Sequence, residues 1–178
     1  MRTLLAALAA MTVICAAGMS AMAADVVRYP LPGGSTFPIA RAVAVPAGFN
    51  LIFHSGYTPA PANPKAQEGT PEYWGDTKTQ ALSTFERMRD SLKEMHLGFG
   101  DVVKMNVFLV GDPANGGRMD FKGFMDAYTQ FFGTKEQPNL PARSAVQVAG
   151  LASPGVMVEV EVVLAQRSRP EASRLRNP

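Results

Sequence analysis

One arginine and two glutamates, set into otherwise apolar β-type sequence, are the residues of this chain best equipped for chemistry. Residues 141–164 read PARSAVQVAGLASPGVMVEVEVVL; Arg143 opens one alternating run, 144–148, and Glu159 and Glu161 interrupt a second, 156–164. Period-two alternation broken by Ser153, Pro154 and Gly155 predicts two strands joined by a turn. Successive strand side chains point to opposite faces, so both glutamates share one face and Val158, Val160 and Val162 the other. The expectation is an arginine and a carboxylate on paired strands. A guanidinium grips a carboxylate through two parallel hydrogen bonds and keeps its charge at any working pH. A partly enclosed Glu159 could pass a proton to or from water beside it. The same residues would also make a structural ion pair or a solvated face, and residue types alone leave both open.

Other chemistries find less support. His54 and His96 lie far apart and in no HExxH or comparable metal spacing. No serine nucleophile elbow is visible, and Gly33-Gly34 lacks the strand–loop–helix setting of a phosphate loop. No metal site, covalent nucleophile or cofactor is therefore predicted. His54 ends a strand beside Ser55-Gly56, where glycine permits close approach to the backbone, so it is a candidate lining residue. His96, near a helix end, reads as a surface residue favoured by the helix dipole.

Periodicity places the elements that must hold these residues. Residues 41–45 and 50–54 read as a hairpin around Pro46-Ala47-Gly48. A long Pro-rich loop, 58–75, carries Tyr73 and Trp74, and loops of that length are usually functional or mobile. A helix follows over 76–97, with Leu82, Phe85, Met88, Leu92 and Met95 on one stripe, Asp76 as cap and Gly98 as stop. Its methionines are core filling rather than metal ligands. Residues 102–110 form a central strand and 111–118 a polar loop. A second helix spans 120–132, burying Phe121, Phe124, Tyr128 and Phe131, with Gly133 closing it. The order is β-β-α-β-α-β-β, an α+β fold with two helices on one face of a mixed sheet. The sheet's other face, rich in Val, Ile and Ala, is left for a partner.

The chain opens with Arg2, an apolar run over 4–17 and Ala21-Met22-Ala23, the pattern of a cleavable secretory signal peptide. Residues 1–23 are accordingly read as removed, and the protein as periplasmic or secreted. The single cysteine, Cys15, falls in that segment, leaving no thiol for a disulfide or a metal. Residues 24–36 form an extended lead-in, 37–166 one domain, and 167–178 a disordered basic tail with Arg167, Arg169, Arg174 and Arg176 against Glu171. The formal net charge of +2 drops by one with Arg2. Such a weak charge predicts neither a nucleic-acid partner nor a membrane surface.

The segments GDVVKMNVFL, MDFKGFMDAYTQFFG and PARSAVQVAGL…VEVEVV closely resemble the Rid/YjgF family of enamine/imine deaminases, from about Phe37 to Ala165. The resemblance implies a chorismate-mutase-like α+β fold, assembled as a homotrimer with sites in the clefts between subunits. It implies that Arg143 binds the substrate carboxylate and that Glu159 positions or activates water. Gly56 stands for the glycine of the family's SGQ segment. Three positions depart: a tyrosine is replaced by Ile39, an asparagine by Met125 and a cysteine by Ala145. Those exchanges make the implied pocket more apolar. The implied activity is cofactor-free hydrolysis of 2-imino acids to 2-keto acids and ammonia. A non-catalytic trimer capturing small carboxylates in the same cleft is the main alternative. Family members described as ribonucleases or translation inhibitors suggest a third reading, against which the near-neutral charge speaks.

Overall fold

The computed structural model describes residues 24–168. The expected signal segment with Cys15, and residues 169–178 of the expected basic tail, lie outside them. Along the described residues the chain forms β1 (Val27–Tyr29), β2 (Ala42–Ala44), β3 (Phe49–Tyr57), α1 (Pro71–Trp74), α2 (Thr77–Glu94), β4 (Val102–Val110), α3 (Phe121–Tyr128), β5 (Ala142–Val148) and β6 (Val158–Arg167). The α+β architecture matches the expectation: a mixed four-stranded sheet in the order β3-β6-β4-β5, with both main helices on one face. Only the β4–β5 pair is parallel, and α3 supplies the crossover such a connection requires.

Local chemistry sets the helices. Asp76 accepts the Thr79 N–H at 2.7 Å to start α2, and Ala81, Phe85, Met88 and Leu92 bury its stripe completely. The helix stops earlier than expected. His96 adopts φ 56°, while the Leu97 N–H reaches back to the Leu92 carbonyl at 2.8 Å and the His96 N–H to Lys93 at 3.0 Å. That is a Schellman closure with a histidine in the place glycine usually takes. Gly98 is extended at φ −150° and is not the stop. Asp120 caps α3, which ends at Tyr128 rather than 132; turns fill the interval to Gly133. Phe85 centres the core, its ring 5.2–6.2 Å from those of Phe99, Phe124, Tyr128, Phe131 and Phe132.

Neither expected hairpin forms. β2 pairs with β1, inside the lead-in, in a separate two-stranded sheet, whereas β3 pairs antiparallel with β6. β5 and β6 lie on opposite sides of β4, so the arginine and the carboxylate are not on paired strands. Two strand spacings, roughly 10 Å, separate them, more than a tight Pro-Gly turn spans. The connection instead crosses the end of β4, where the Val110 N–H donates to the Met157 carbonyl at 2.9 Å. The Pro-rich loop 58–75 is fastened to this crossing. Trp74 Nε1 donates to the Pro154 carbonyl at 2.9 Å. The fully buried Gln80 side chain donates to the Gly75 and Gly155 carbonyls, each at 3.1 Å, and accepts the Met157 N–H at 2.7 Å. Gly155 turns there with φ +81°, and a Cβ on it would lie 2.7 Å from the Gly69 carbonyl oxygen.

The helix-free face of the sheet carries uncovered apolar side chains: Phe53 is 78% exposed, Leu51 51% and Val146 47%. Among the described residues no helix is long and apolar enough to cross a membrane.

Candidate active site

Register decides which way each candidate side chain points. Arg143 on β5 pairs with Met105, which in turn pairs with Val162 on β6. Met105 and Val162 are buried beneath the helices, so Arg143 projects to the helix-covered face. There its guanidinium carbon lies 4.3 Å from the Tyr128 ring centroid, 5.4 Å from Phe124, 5.6 Å from Phe37 and 5.7 Å from Phe121. Its one side-chain partner is a soft one: Nη2 approaches the Met125 sulfur at 3.2 Å. Nη1 is enclosed and has no hydrogen-bond partner among the described residues. Burial lowers the pKa of the guanidinium from its ordinary value, a shift that the proximity of Tyr128 partly opposes. No carboxylate pairs with Arg143 among the described residues. The structural ion pair that the residue types allowed is absent there. A half-buried cation held by rings and a thioether is poorly satisfied, and an anion within reach would relieve it.

The Phe37 segment is built onto this cage from far upstream. The Ala40 N–H donates to the Pro141 carbonyl at 2.9 Å, and Tyr128 donates its hydroxyl hydrogen to the Pro38 carbonyl at 2.9 Å. Burial raises the Tyr128 pKa, with nearby Arg143 acting the other way. The hydroxyl thus stays protonated and remains a donor.

Glu159 and Gly56 form a second group. Glu159 pairs with Phe108 and Glu161 with Asn106, on the open face opposite Arg143. β3 is irregular between His54 and Tyr57, where Ser55-Gly56 bulge against β6. A Cβ added to Gly56 would fall 2.1 Å from Glu159 Oε1, so the carboxylate lies where any side chain at 56 would go. Asn106 Nδ2 donates to Glu161 Oε1 at 2.7 Å. A depression of about 220 Å³ on this face is lined by Phe53, Ser55, Lys104, Asn106 and Glu161, among others.

The expected site residues therefore fall into separate places within one chain. Arg143 and Met125 touch, and Ala145 lies two residues along the same face of β5. Ile39 lines a neighbouring depression with Phe37, Ala40 and Leu140. Gly56 and Glu159 adjoin on the other side of the sheet. His54 faces α2: its Nε2 lies 3.1 Å from Ser91 Oγ and its Nδ1 2.9 Å from the Ser55 carbonyl. That carbonyl can only accept, so Nδ1 carries a proton and donates to it. His54 ties β3 to a helix rather than offering a free base. The cage rings were missed as site residues because Phe121, Phe124 and Tyr128 match a core stripe. Phe37 gave no periodic signal.

The model of the family described as endoribonuclease L-PSP matches residues 38–166. The 2-iminobutanoate/2-iminopropanoate deaminase of Escherichia coli K12 is 32% identical over 118 residues, 66% of this chain and 81% of that protein. A RutC family protein of Haemophilus influenzae is 31% identical over the same shares. Among solved structures, E. coli TdcF with bound serine aligns at TM-score 0.51 and 30% identity, over 78% of this chain and 94% of that one. The E. coli YjgF gene product aligns at 0.51 and 31%, over 75% and 91%. Family model, curated relatives and solved folds converge, and the chain belongs to the YjgF/RidA family.

Proposed function

We propose that this protein hydrolyses 2-imino acids to 2-keto acids and ammonia, without metal or organic cofactor, in a cleft between two copies of the chain. The observation that carries the reading is Arg143: a half-buried guanidinium caged by rings and, among the described residues, without a carboxylate partner and with an unpartnered N–H. A substrate carboxylate displacing the Met125 sulfur would restore its hydrogen bonding. Arg143 and Glu159 lie on opposite faces of one sheet. Glu159 of a second copy would therefore complete the site. The open face that carries it also carries exposed Phe53 and Leu51, which a homotrimer would cover. The relatives named as imine deaminases support the same chemistry.

In the proposed step, water adds to the C=N carbon while Glu159 takes its proton. Glu159 returns that proton to the nitrogen, giving a carbinolamine; the remaining hydroxyl proton then passes to the nitrogen as the C–N bond breaks, so ammonia leaves and a C=O group remains. Arg143 holds the carboxylate throughout, and the backbone near Gly56 orients the nitrogen. Fixing substrate and water in this arrangement contributes on the order of several kcal/mol. The expected leader sequence would direct the protein to the periplasm or outside the cell, where amino-acid oxidation would supply imines.

The test is ammonia release from imines generated in situ by an amino-acid oxidase. Arg143→Ala should lower the rate by about a hundredfold, the value of two charge-assisted hydrogen bonds. No rate above buffer, or an unchanged rate in that variant, would overturn the reading. Met125 and Ile39, apolar where the resemblance implied polar groups, favour one alternative, a trimer that binds small carboxylates without turnover. Calorimetry showing keto-acid binding with no imine hydrolysis would select it.

A further inference from the structure

We infer that Phe37 is a specificity-determining residue and that the preferred ligands are 2-imino and 2-keto acids with aromatic or bulky apolar side chains. The inference rests on the proposed carboxylate site at Arg143 and extends it to the rest of the substrate. Of the rings around the guanidinium, Phe124 and Tyr128 are fully buried and already consumed by the core. Phe37 is not: the residue is 41% exposed although its ring centroid lies 5.6 Å from the Arg143 guanidinium carbon. That exposed aromatic surface beside a desolvated cation is left uncovered by the described residues. It is, however, within reach of a group attached one or two bonds from a carboxylate gripped by Arg143. Phe37 also stacks on Phe121, with centroids 6.4 Å apart and planes 27° from parallel, so the two rings form an apolar wall beside the guanidinium that the Met125 sulfur also approaches.

The wall is held in place before any ligand arrives. The Phe37 carbonyl accepts the Ile39 N–H at 2.8 Å, and the Phe37 N–H donates to Ser35 Oγ at 3.3 Å. The next residue's carbonyl is fixed by Tyr128, whose ring also packs on Arg143. Carboxylate grip and apolar wall thus share one support, and little reordering accompanies binding. A methyl group, as in the smallest imino acid, leaves the wall wet, whereas a ring stacks on it and removes apolar surface from water.

The experiment measures binding of 2-keto acids, which report the site without turnover, to the purified full-length protein by calorimetry. Phenylpyruvate should bind about tenfold or more tightly than pyruvate. That ratio should collapse to within about threefold in Phe37→Ala and recover in part in Phe37→Leu, which restores apolar volume without the ring. Equal affinity for the two acids in the unmodified protein, or a ratio untouched by Phe37→Ala, overturns the assignment of Phe37 and leaves the deaminase reading standing. Binding of neither acid, with no difference between the unmodified protein and Arg143→Ala, overturns both.

Discussion

At Gly56 the missing side chain is what lets Glu159 lie where it does. A Cβ there would sit 2.1 Å from Oε1 and 2.9 Å from the carboxyl carbon. The obstacle is the far end of a flexible side chain, so Gly56→Ala should fold normally, with stability changed by less than about 1 kcal/mol. The carboxylate, however, must swing away from the bulge. If Glu159 positions water, imine hydrolysis should fall by about a hundredfold, since a displacement of about 1 Å can cost that much. Urea denaturation beside ammonia release measures both; a stable, fully active variant would remove Glu159 from the mechanism. Arg143 presents the opposite case, a group defined by what it lacks. Its rings supply a cation-friendly wall but no counter-charge, which is why a ligand carboxylate is its proposed partner.

At the scale of the element, α2 is anchored by its first turn. The Thr79 side chain and amide hydrogen-bond the Asp76 carboxyl and hold its pKa below the usual carboxylate range. A carboxyl whose folded-state pKa is depressed stabilises the fold above its unfolded-state pKa, and that contribution is lost as pH falls through the folded-state value. Asp76→Ala should therefore cost about 1 kcal/mol at neutral pH, and the difference from the unmodified protein should vanish well below the carboxylate range. Urea titrations at both pH values check it; a pH-independent difference would mean the cap acts through something other than its charge. The other end of α2 shows a limit of local reading. Gly98 had the residue type of a stop, yet His96 took the left-handed position, because a Leu97 turned back there joins the core side of the helix.

For the whole molecule, the central fact is a sheet with one covered and one uncovered face. Two-copy completion of the site requires that the uncovered face be an interface. The protein should run as a trimer in solution, and Phe53→Asp, which puts a charge on its most exposed apolar side chain, should shift it toward single chains. Light scattering after size exclusion measures this, and imine hydrolysis should fall in parallel with the trimer. An unmodified protein that runs as one chain would leave Arg143 and Glu159 on opposite faces of one sheet, unable to meet on one substrate.

Sequence by itself determined the helices, the inner position of β4, the apolar sheet face and the family, and it singled out Arg143 as a candidate. Each is written in local order: a three-to-four-residue stripe, an alternating run, an arginine after Pro-Ala. The tertiary structure alone decided which strands are neighbours. β5 and β6 are consecutive in sequence and alternate cleanly, but β4 lies between them, and nothing in either strand records that. Alternation tells which side chains share a face of one strand; it cannot tell which strand stands next to it or which way that neighbour faces. Hence the arginine and the glutamate could be singled out without knowing that the sheet itself divides them. The Phe37 wall was equally invisible, since it forms only when a segment about a hundred residues upstream of Arg143 folds back across α3 to reach it.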